Sequence, residues 1–266
     1  MGIDPVLERI PVKERDIEKK IVKFYSTILN ALKAGGKSAG IAAVKPNYAF
    51  FAQYGFPGLR ALKKIIDIYR KDYIVLLDAK RADIGNTSKA YAKEMFDFWQ
   101  ADSATVNPYL GYDSLEPFFE YCKKGKGIYV LVRTSNEGAK EFQNLAVGNE
   151  PFYLKVAQAV IKWNIRGVGT VVGAPSTVEM QDTVNFFNSK ARQLRVPFLI
   201  PGVDKQGGSA AEVARILKQD KETIALHRIN ASSSINYAYE ESNAKDYAEA
   251  AVKAIIKLNR EIKIDL

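Results

Sequence analysis

The chain has 266 residues, of which 47% are hydrophobic, and 39 Lys and Arg against 30 Asp and Glu give a formal charge of +9. This length suits one α/β barrel of about 250 residues or two smaller domains, and no stretch approaches the roughly 20 uninterrupted apolar residues of a membrane span. A single cysteine, Cys122, excludes an internal disulfide and any multi-cysteine metal site, and fits a reducing cytoplasm. The opening Met1-Gly2-Ile3-Asp4-Pro5 carries no signal-peptide pattern. The excess positive charge favours anionic ligands, although its plainest reading is a solvated lysine-rich surface. No basic run with interleaved aromatics and no zinc spacing points to nucleic acid.

In chain order, Ile3-Asp4-Pro5 reads as the end of a short strand. Residues 14–34 carry apolar positions at helical spacing (Ile17, Ile21, Phe24, Ile28, Leu32) and stop at Gly35-Gly36. Residues 39–45 predict a second strand with Lys45 at its C-terminal end, and Pro57 to Arg70 a helix. Tyr73 to Leu77 is nearly free of polar side chains, the pattern of a strand buried on both faces. It delivers Asp78, Lys80 and Asp83 at its end, then an amphipathic helix from about Thr87 to Trp99. Strand four is Ser103–Asn107, stopped by Pro108; a helix over 112–123 follows, then strand five, Gly127–Arg133, and the polar loop 134–138. A helix over 151–165, strand six at Gly167–Gly173 and a helix over 176–193 come next. Strand seven, Pro197–Pro201, leads to Gly202 and Gly207-Gly208; a helix over 209–219, strand eight at Thr223–Ile229 and a helical region over 234–261 complete the chain.

Alternation of eight strands with about eight helices, without a composition break, predicts an α/β fold: a single (β/α)8 TIM barrel with a short N-terminal strand, one domain over residues 1–266. An open doubly wound sheet would more often carry a Gly-rich turn after its first strand, and Asp4-Pro5-Val6 lacks one. In a barrel, Asp4, Lys45, Asp78, Lys80 and Asn107 all fall at strand C-termini, where active sites are built, and Ser135, Pro201, Gly202 and Gln206 fall on the same rim. Bland roles remain open for Lys45 as a rim lysine, Asp4 as a helix cap and Asn107 as a turn residue. His227, the one histidine, reads as a strand residue without a catalytic task.

Strand alternation puts Asp78 and Lys80 on one face, with Lys45 in reach from the neighbouring strand. A lysine among carboxylates keeps its proton, because nearby negative charge favours the ammonium form. It is then a poor imine-forming nucleophile and a suitable general acid for a developing carbanion, as in decarboxylation. Paired carboxylates could alternatively hold Mg²⁺, which the intervening lysines argue against. The Gly-rich turn Pro201–Ser209 offers backbone N–H groups where barrels commonly bind phosphate. Gly173-Ala174-Pro175-Ser176 could serve similarly or be a tight turn with Ser176 as helix cap.

At these residues the chain resembles the orotidine 5′-phosphate decarboxylase family, in its branch often called type 2. The block Leu77-Asp78-Ala79-Lys80-Arg81-Ala82-Asp83-Ile84-Gly85-Asn86-Thr87 fits that family's Asp-x-Lys-x-x-Asp-Ile signature. Ile3-Asp4-Pro5, Val44–Asn47, Val106–Gly111, Val132–Asn136, Val171–Ala174 and Pro201-Gly202…Gln206-Gly207-Gly208 support it in the same order. The resemblance implies a barrel homodimer with shared active sites and no metal or organic cofactor, acting on an anionic nucleotide monophosphate. It implies Lys80 as proton donor to the C6 carbanion left after CO₂ loss, Asp78 beside the substrate carboxylate, and Lys45 and Asp83 completing the charge network. Asp83, Ile84 and Thr87 would reach the partner's site, Asp4 and Lys45 would meet ribose hydroxyls, and Ser135 the pyrimidine. Gln206, Gly207 and Gly208 would hold the phosphate, with Asn47, Asn107 and Pro201 among the substrate-binding positions. Two places depart from the pattern: Asp204-Lys205 replaces the usual small pair, and Ser233 stands where the family usually has Arg. Such a guanidinium makes strong bidentate contacts with phosphate, and Lys205 could compensate as a point charge. A Mg²⁺-dependent keto-sugar phosphate decarboxylase of the same barrel group, or a phosphate-site-altered, non-catalytic member, are the alternatives.

Overall fold

The computed structural model describes residues 1–191, 194–203, 207–219, 224–242 and 244–262. The described residues form two compact units, one of 1–79, 99–102 and 231–262 and one of 80–98 and 103–230.

In the first unit, strand β1 (Gly2–Ile3) pairs in parallel with β2 (Ala43–Pro46), Gly2 opposite Lys45 and Ile3 opposite Pro46. Strand β2 pairs with β3 (Ile74–Arg81) through Ala43 with Ile74 and Val44 with Val75. The Ile17–Ala34 helix starts at Asp16, whose side chain accepts the Lys19 N–H, and buries Ile21, Phe24, Ile28 and Leu32, four of the stripe positions read from the sequence. It packs on the Gly55–Tyr69 and Tyr247–Glu261 helices. The strand expected over 39–45 is shorter, because Lys37–Ala39 forms a 3₁₀ turn. Asn259 Nδ2 donates to the carbonyls of Ser38 and Gly40, satisfying them outside a ladder. The short Tyr48–Ala52 helix was not expected; Asn47 caps it by accepting the Ala49 N–H.

In the second unit β4 (Ser103–Val106), β5 (Gly127–Arg133), β8 (Val168–Val172), β9 (Phe198–Pro201) and β10 (Arg228–Asn230) pair in parallel in that order. Between them β6 (Ala146–Val147) and β7 (Glu150–Pro151) form a small antiparallel hairpin that the sequence reading did not anticipate. Every residue of β4 and β8 is buried, as expected for strands covered on both faces. The helix expected over Thr87–Trp99 starts earlier, at Gly85, and after Lys93 widens into a π-type turn, Glu94–Phe98. The last strand begins at Arg228 rather than Thr223, with a 3₁₀ turn at Ile224–Leu226. The Phe198 N–H that would extend this ladder donates instead to His227 Nδ1 at 3.0 Å.

In fold class the chain is an α/β protein of the (β/α)8 TIM-barrel type. Among the described residues no helix is long and apolar enough to cross a membrane.

Candidate active site

In the first unit, Lys45 is the penultimate residue of β2 and β3 carries Asp78 beyond its apolar run Val75–Leu77. The two strands lie parallel, and an isolated backbone bridge joins Asn47 to Asp78. Lys45 Nζ and Asp78 Oδ2 are 2.7 Å apart, with side chains only 7% and 9% exposed. Burial pushes the Lys45 ammonium down, but the charges of Asp78 and Asp4 and the Asp78 hydrogen bond outweigh it, holding Lys45 above its ordinary value. Lys45 is therefore a stable cation. Asp4, just past β1, accepts the Ser232 hydroxyl at Oδ2 (2.6 Å), and its carbonyl accepts the Tyr237 hydroxyl (3.0 Å). Its Oδ1 is buried without a hydrogen-bond partner, an acceptor suited to a hydroxyl donor.

In the second unit, Lys80 and Arg81 complete β3. Lys80 is exposed and has φ +47, so the alternation rule for an extended strand does not apply to it. Its N–H donates to Thr105 Oγ1 at 2.9 Å. The Asn107 N–H then meets the Arg81 carbonyl at 2.9 Å, and the Asn107 side chain caps the Pro108–Leu110 turn by accepting the Tyr109 N–H. Asp83 Oδ1 accepts the Ile84 N–H (2.8 Å), which shapes the entry into the Gly85–Lys93 helix. Ile84 is 59% exposed, an unusual position for an apolar side chain, and Thr87 is exposed one turn on.

Ser135 follows the buried Arg133, whose Nη1 donates to the Thr134 carbonyl and Nη2 to Glu179 Oε1. Burial alone would raise the Glu179 carboxyl, but hydrogen bonds from Asn144 and its own backbone, with the Arg133 charge, hold it below its usual value. Gly173 passes so close to this turn that a Cβ there would stand 2.6 Å from Ser135 Cα. The Pro201 carbonyl accepts the Ala174 N–H (2.8 Å). The Gly208 N–H is committed to the Gly202 carbonyl at 3.2 Å, and a Cβ on Gly208 would meet Ala174 Cβ at 2.4 Å. Gly207 has φ +86, open to glycine and strained for other residues. Gln206, Asp204 and Lys205 lie outside the described residues.

The structure thus brings together Asp4, Lys45, Asn47 and Asp78 within one unit. Within the other it places Lys80 and Asp83 around the end of β3, with Asn107 tied to it through the Arg81 carbonyl, and Ser135 against Gly173. Sequence reasoning missed several residues that hold these in place. Ser232 and Tyr237 orient Asp4 from 228 and 233 residues away, and nothing local marks them. Arg9 grips Glu240 through Nε and Nη2, donates from Nη1 to Ser233 Oγ (3.0 Å) and covers the Tyr237 ring at 3.8 Å. The Arg9 guanidinium thus touches the Ser233 hydroxyl while held by Glu240 and Tyr237. Among the described residues no group of three or more His, Cys, Asp and Glu side chains is gathered as metal ligands.

The chain is similar to known proteins along nearly all its length. The family model described as orotidine 5′-phosphate decarboxylase / HUMPS family matches residues 29–250. A curated orotidine 5′-phosphate decarboxylase from Herpetosiphon aurantiacus is 40% identical over 256 residues, 95% of this chain and 88% of that protein. Among solved structures, a Toxoplasma gondii chain assigned as an orotidine-monophosphate decarboxylase superposes with TM-score 0.79 at 29% identity, covering 98% of this chain and 90% of that one. The Leishmania donovani OMP decarboxylase superposes with TM-score 0.74 at 30% identity, covering 98% and 92%. A signature centred on Asp78 and Lys80, a parallel barrel that sets Lys45 against Asp78, and 40% identity to a curated relative together place this chain in the orotidine 5′-phosphate decarboxylase / HUMPS family.

Proposed function

We propose that this chain converts orotidine 5′-monophosphate to uridine 5′-monophosphate and CO₂ in de novo pyrimidine biosynthesis, as a carbon–carbon lyase that needs no cofactor. The observation that carries this reading is the buried Lys45–Asp78 pair, set two residues before Lys80 in a chain with curated decarboxylase relatives. The C6–carboxylate bond breaks, CO₂ leaves, and the electron pair stays on C6. The Lys80 ammonium then delivers its proton to that carbon. Asp78, fixed by Lys45, faces the departing carboxylate, and its charge disfavours the ground state more than the transition state. Asp83 completes the charge network. Asp4, with its unpartnered Oδ1, and Lys45 take the ribose hydroxyls. Ser135 takes the pyrimidine, with Asn47, Asn107 and Pro201 lining the substrate. Gln206, Gly207 and Gly208 hold the phosphate; because the Gly208 N–H already serves Gly202, Gly207 and Gln206 carry more of that task.

The reading extends to a homodimer in which Asp83, Ile84 and Thr87 serve the partner's site; the exposure of Ile84 supports it. It places the protein in the cytoplasm, without nucleic-acid or membrane partners. The one-domain reading of residues 1–266 rests on the barrel needing all eight strands. The curated relatives bear the decarboxylase name, and neither the Mg²⁺-dependent nor the non-catalytic alternative finds support among them.

The test follows orotidine 5′-monophosphate absorbance with purified protein beside a Lys80→Ala control. Turnover that falls at least about a hundredfold in the control is expected; none in the wild type at high substrate would refute the reading. Ser233→Arg combined with Asp204→Gly and Lys205→Ala is expected to lower KM. Sedimentation showing only monomer would remove the shared-site roles.

A further inference from the structure

We infer that Thr105 is a positioning residue for Lys80: its buried hydroxyl holds Lys80 in a left-handed backbone conformation at the end of β3 and thereby aims the lysine. The catalytic part of this inference rests on the decarboxylase reading above. Its conformational part does not.

Among the described residues three non-glycine positions have positive φ: Lys80, Gln100 and Asn164. Asn164 ends the Phe152–Trp163 helix, and asparagine tolerates this conformation there. Gln100 follows the bend at Trp99. Lys80 is the one inside a strand, between residues that keep the sheet going. For an L-residue with a long side chain this conformation is sterically disfavoured, and it persists only where surrounding groups over-determine it.

Thr105 supplies that constraint. It sits within β4, 1% exposed, with its own backbone in register with Tyr129 of β5. Its Oγ1 accepts the Lys80 N–H at 2.9 Å, so a side chain stands where a strand ladder would use a backbone carbonyl. On the other side of Lys80, the Asn107 N–H donates to the Arg81 carbonyl at 2.9 Å. The hydroxyl and this bond together hold the backbone on either side of the turned residue. Valine has nearly the same shape and no acceptor. It would remove the Thr105 acceptor of the Lys80 N–H and favour return to an extended backbone, which redirects the Lys80 Cα–Cβ bond.

Thr105→Val and Thr105→Ser are compared by steady-state decarboxylation and by calorimetric titration with uridine 5′-monophosphate. T105V is expected to lower kcat by about tenfold or more, to leave KM within about twofold, and to keep the wild-type number of binding sites. T105S, which keeps the hydroxyl, is expected to retain kcat within about threefold. A T105V kcat within twofold of wild type, or a T105S kcat as low as that of T105V, overturns the positioning role. Retained site number separates misaimed lysine from a smaller folded fraction. The conformational part is read by thermal unfolding of Lys80→Gly and Lys80→Ala, neither of which needs activity. Lys80→Gly is expected to melt above Lys80→Ala, the reverse of the usual strand order, because glycine accepts φ +47 without strain. Lys80→Ala melting at or above Lys80→Gly overturns it, including where T105V does not fold. A wild type without turnover refutes the decarboxylase reading and leaves this comparison to decide the conformational claim.

Discussion

Replacing Asp78 by Asn removes one charge from a buried pair and leaves its shape. Lys45 Nζ and Asp78 Oδ2 are 2.7 Å apart, and their side chains are 7% and 9% exposed. Breaking such a pair by deleting one partner costs about 3–5 kcal/mol, because the remaining charge stays desolvated. Asp4 still attracts Lys45, so the expected loss lies at the lower end, about 3 kcal/mol. The pH dependence gives an independent sign. In the wild type the folded Lys45 value is raised above 10.5, so its contribution is fully present below pH 10.5 and is lost as pH rises through the raised value. In Asp78→Asn burial outweighs what attraction remains, and the folded value falls below 10.5. The deficit is then greatest at neutral pH and shrinks as Lys45 sheds its proton. Urea unfolding of both proteins from pH 7 to pH 10 measures this. A loss under about 1 kcal/mol with parallel pH curves would refute the claim that Lys45 is a buried cation held by Asp78. Replacing both residues, Lys45→Met with Asp78→Leu, is expected to recover most of the loss while abolishing activity.

Three further expectations concern other elements. His227 accepts the Phe198 N–H at Nδ1 and stacks on the Phe198 ring with centroids 4.8 Å apart. His227→Leu is expected to cost about 1–3 kcal/mol by leaving that N–H unpaired, with kcat unchanged; chemical denaturation showing no loss would refute the structural role. Gly173→Ala would bring a Cβ to 2.6 Å from Ser135 Cα, and is expected to cost about 1–3 kcal/mol and to raise KM by displacing Ser135. Unchanged KM and melting temperature would contradict that close approach. Burial pushes the Cys122 thiol from its ordinary 9.0 up to about 12. The thiolate fraction at pH 8 is then about a thousandfold lower than in the unfolded chain, so a disulfide reagent is expected to modify Cys122 at the rate of unfolding; a fast phase in the native protein would show the thiol to be accessible.

Much of the fold was legible in the sequence because the signals are local and repeated. The buried parts of parallel strands, such as Val75–Leu77 and Val168–Val172, are apolar runs, although Ile74 at the start of β3 is 45% exposed, and the Ile17–Leu32 stripe repeats at helical spacing. Asp78, Lys80 and Asp83 were visible because charge at the end of such a run is costly without a partner. The element ends were less legible. The last strand starts late because a side chain, His227, takes the N–H that would extend the ladder. The positions that hold the site lay beyond reading. Ser232 and Tyr237 meet Asp4 across more than two hundred residues, and Arg9 reaches Ser233 across 224. Lys80 departs from strand geometry because the hydroxyl of Thr105, 25 residues on, bonds its N–H. The sequence by itself determined the alternating barrel elements and the kind of charges at the end of β3, since hydrophobic period and charge cost act along the chain. Only the tertiary structure decided which groups neutralise, orient and strain those charges, because hydrogen bonds and buried ion pairs depend on distances that sequence spacing does not set.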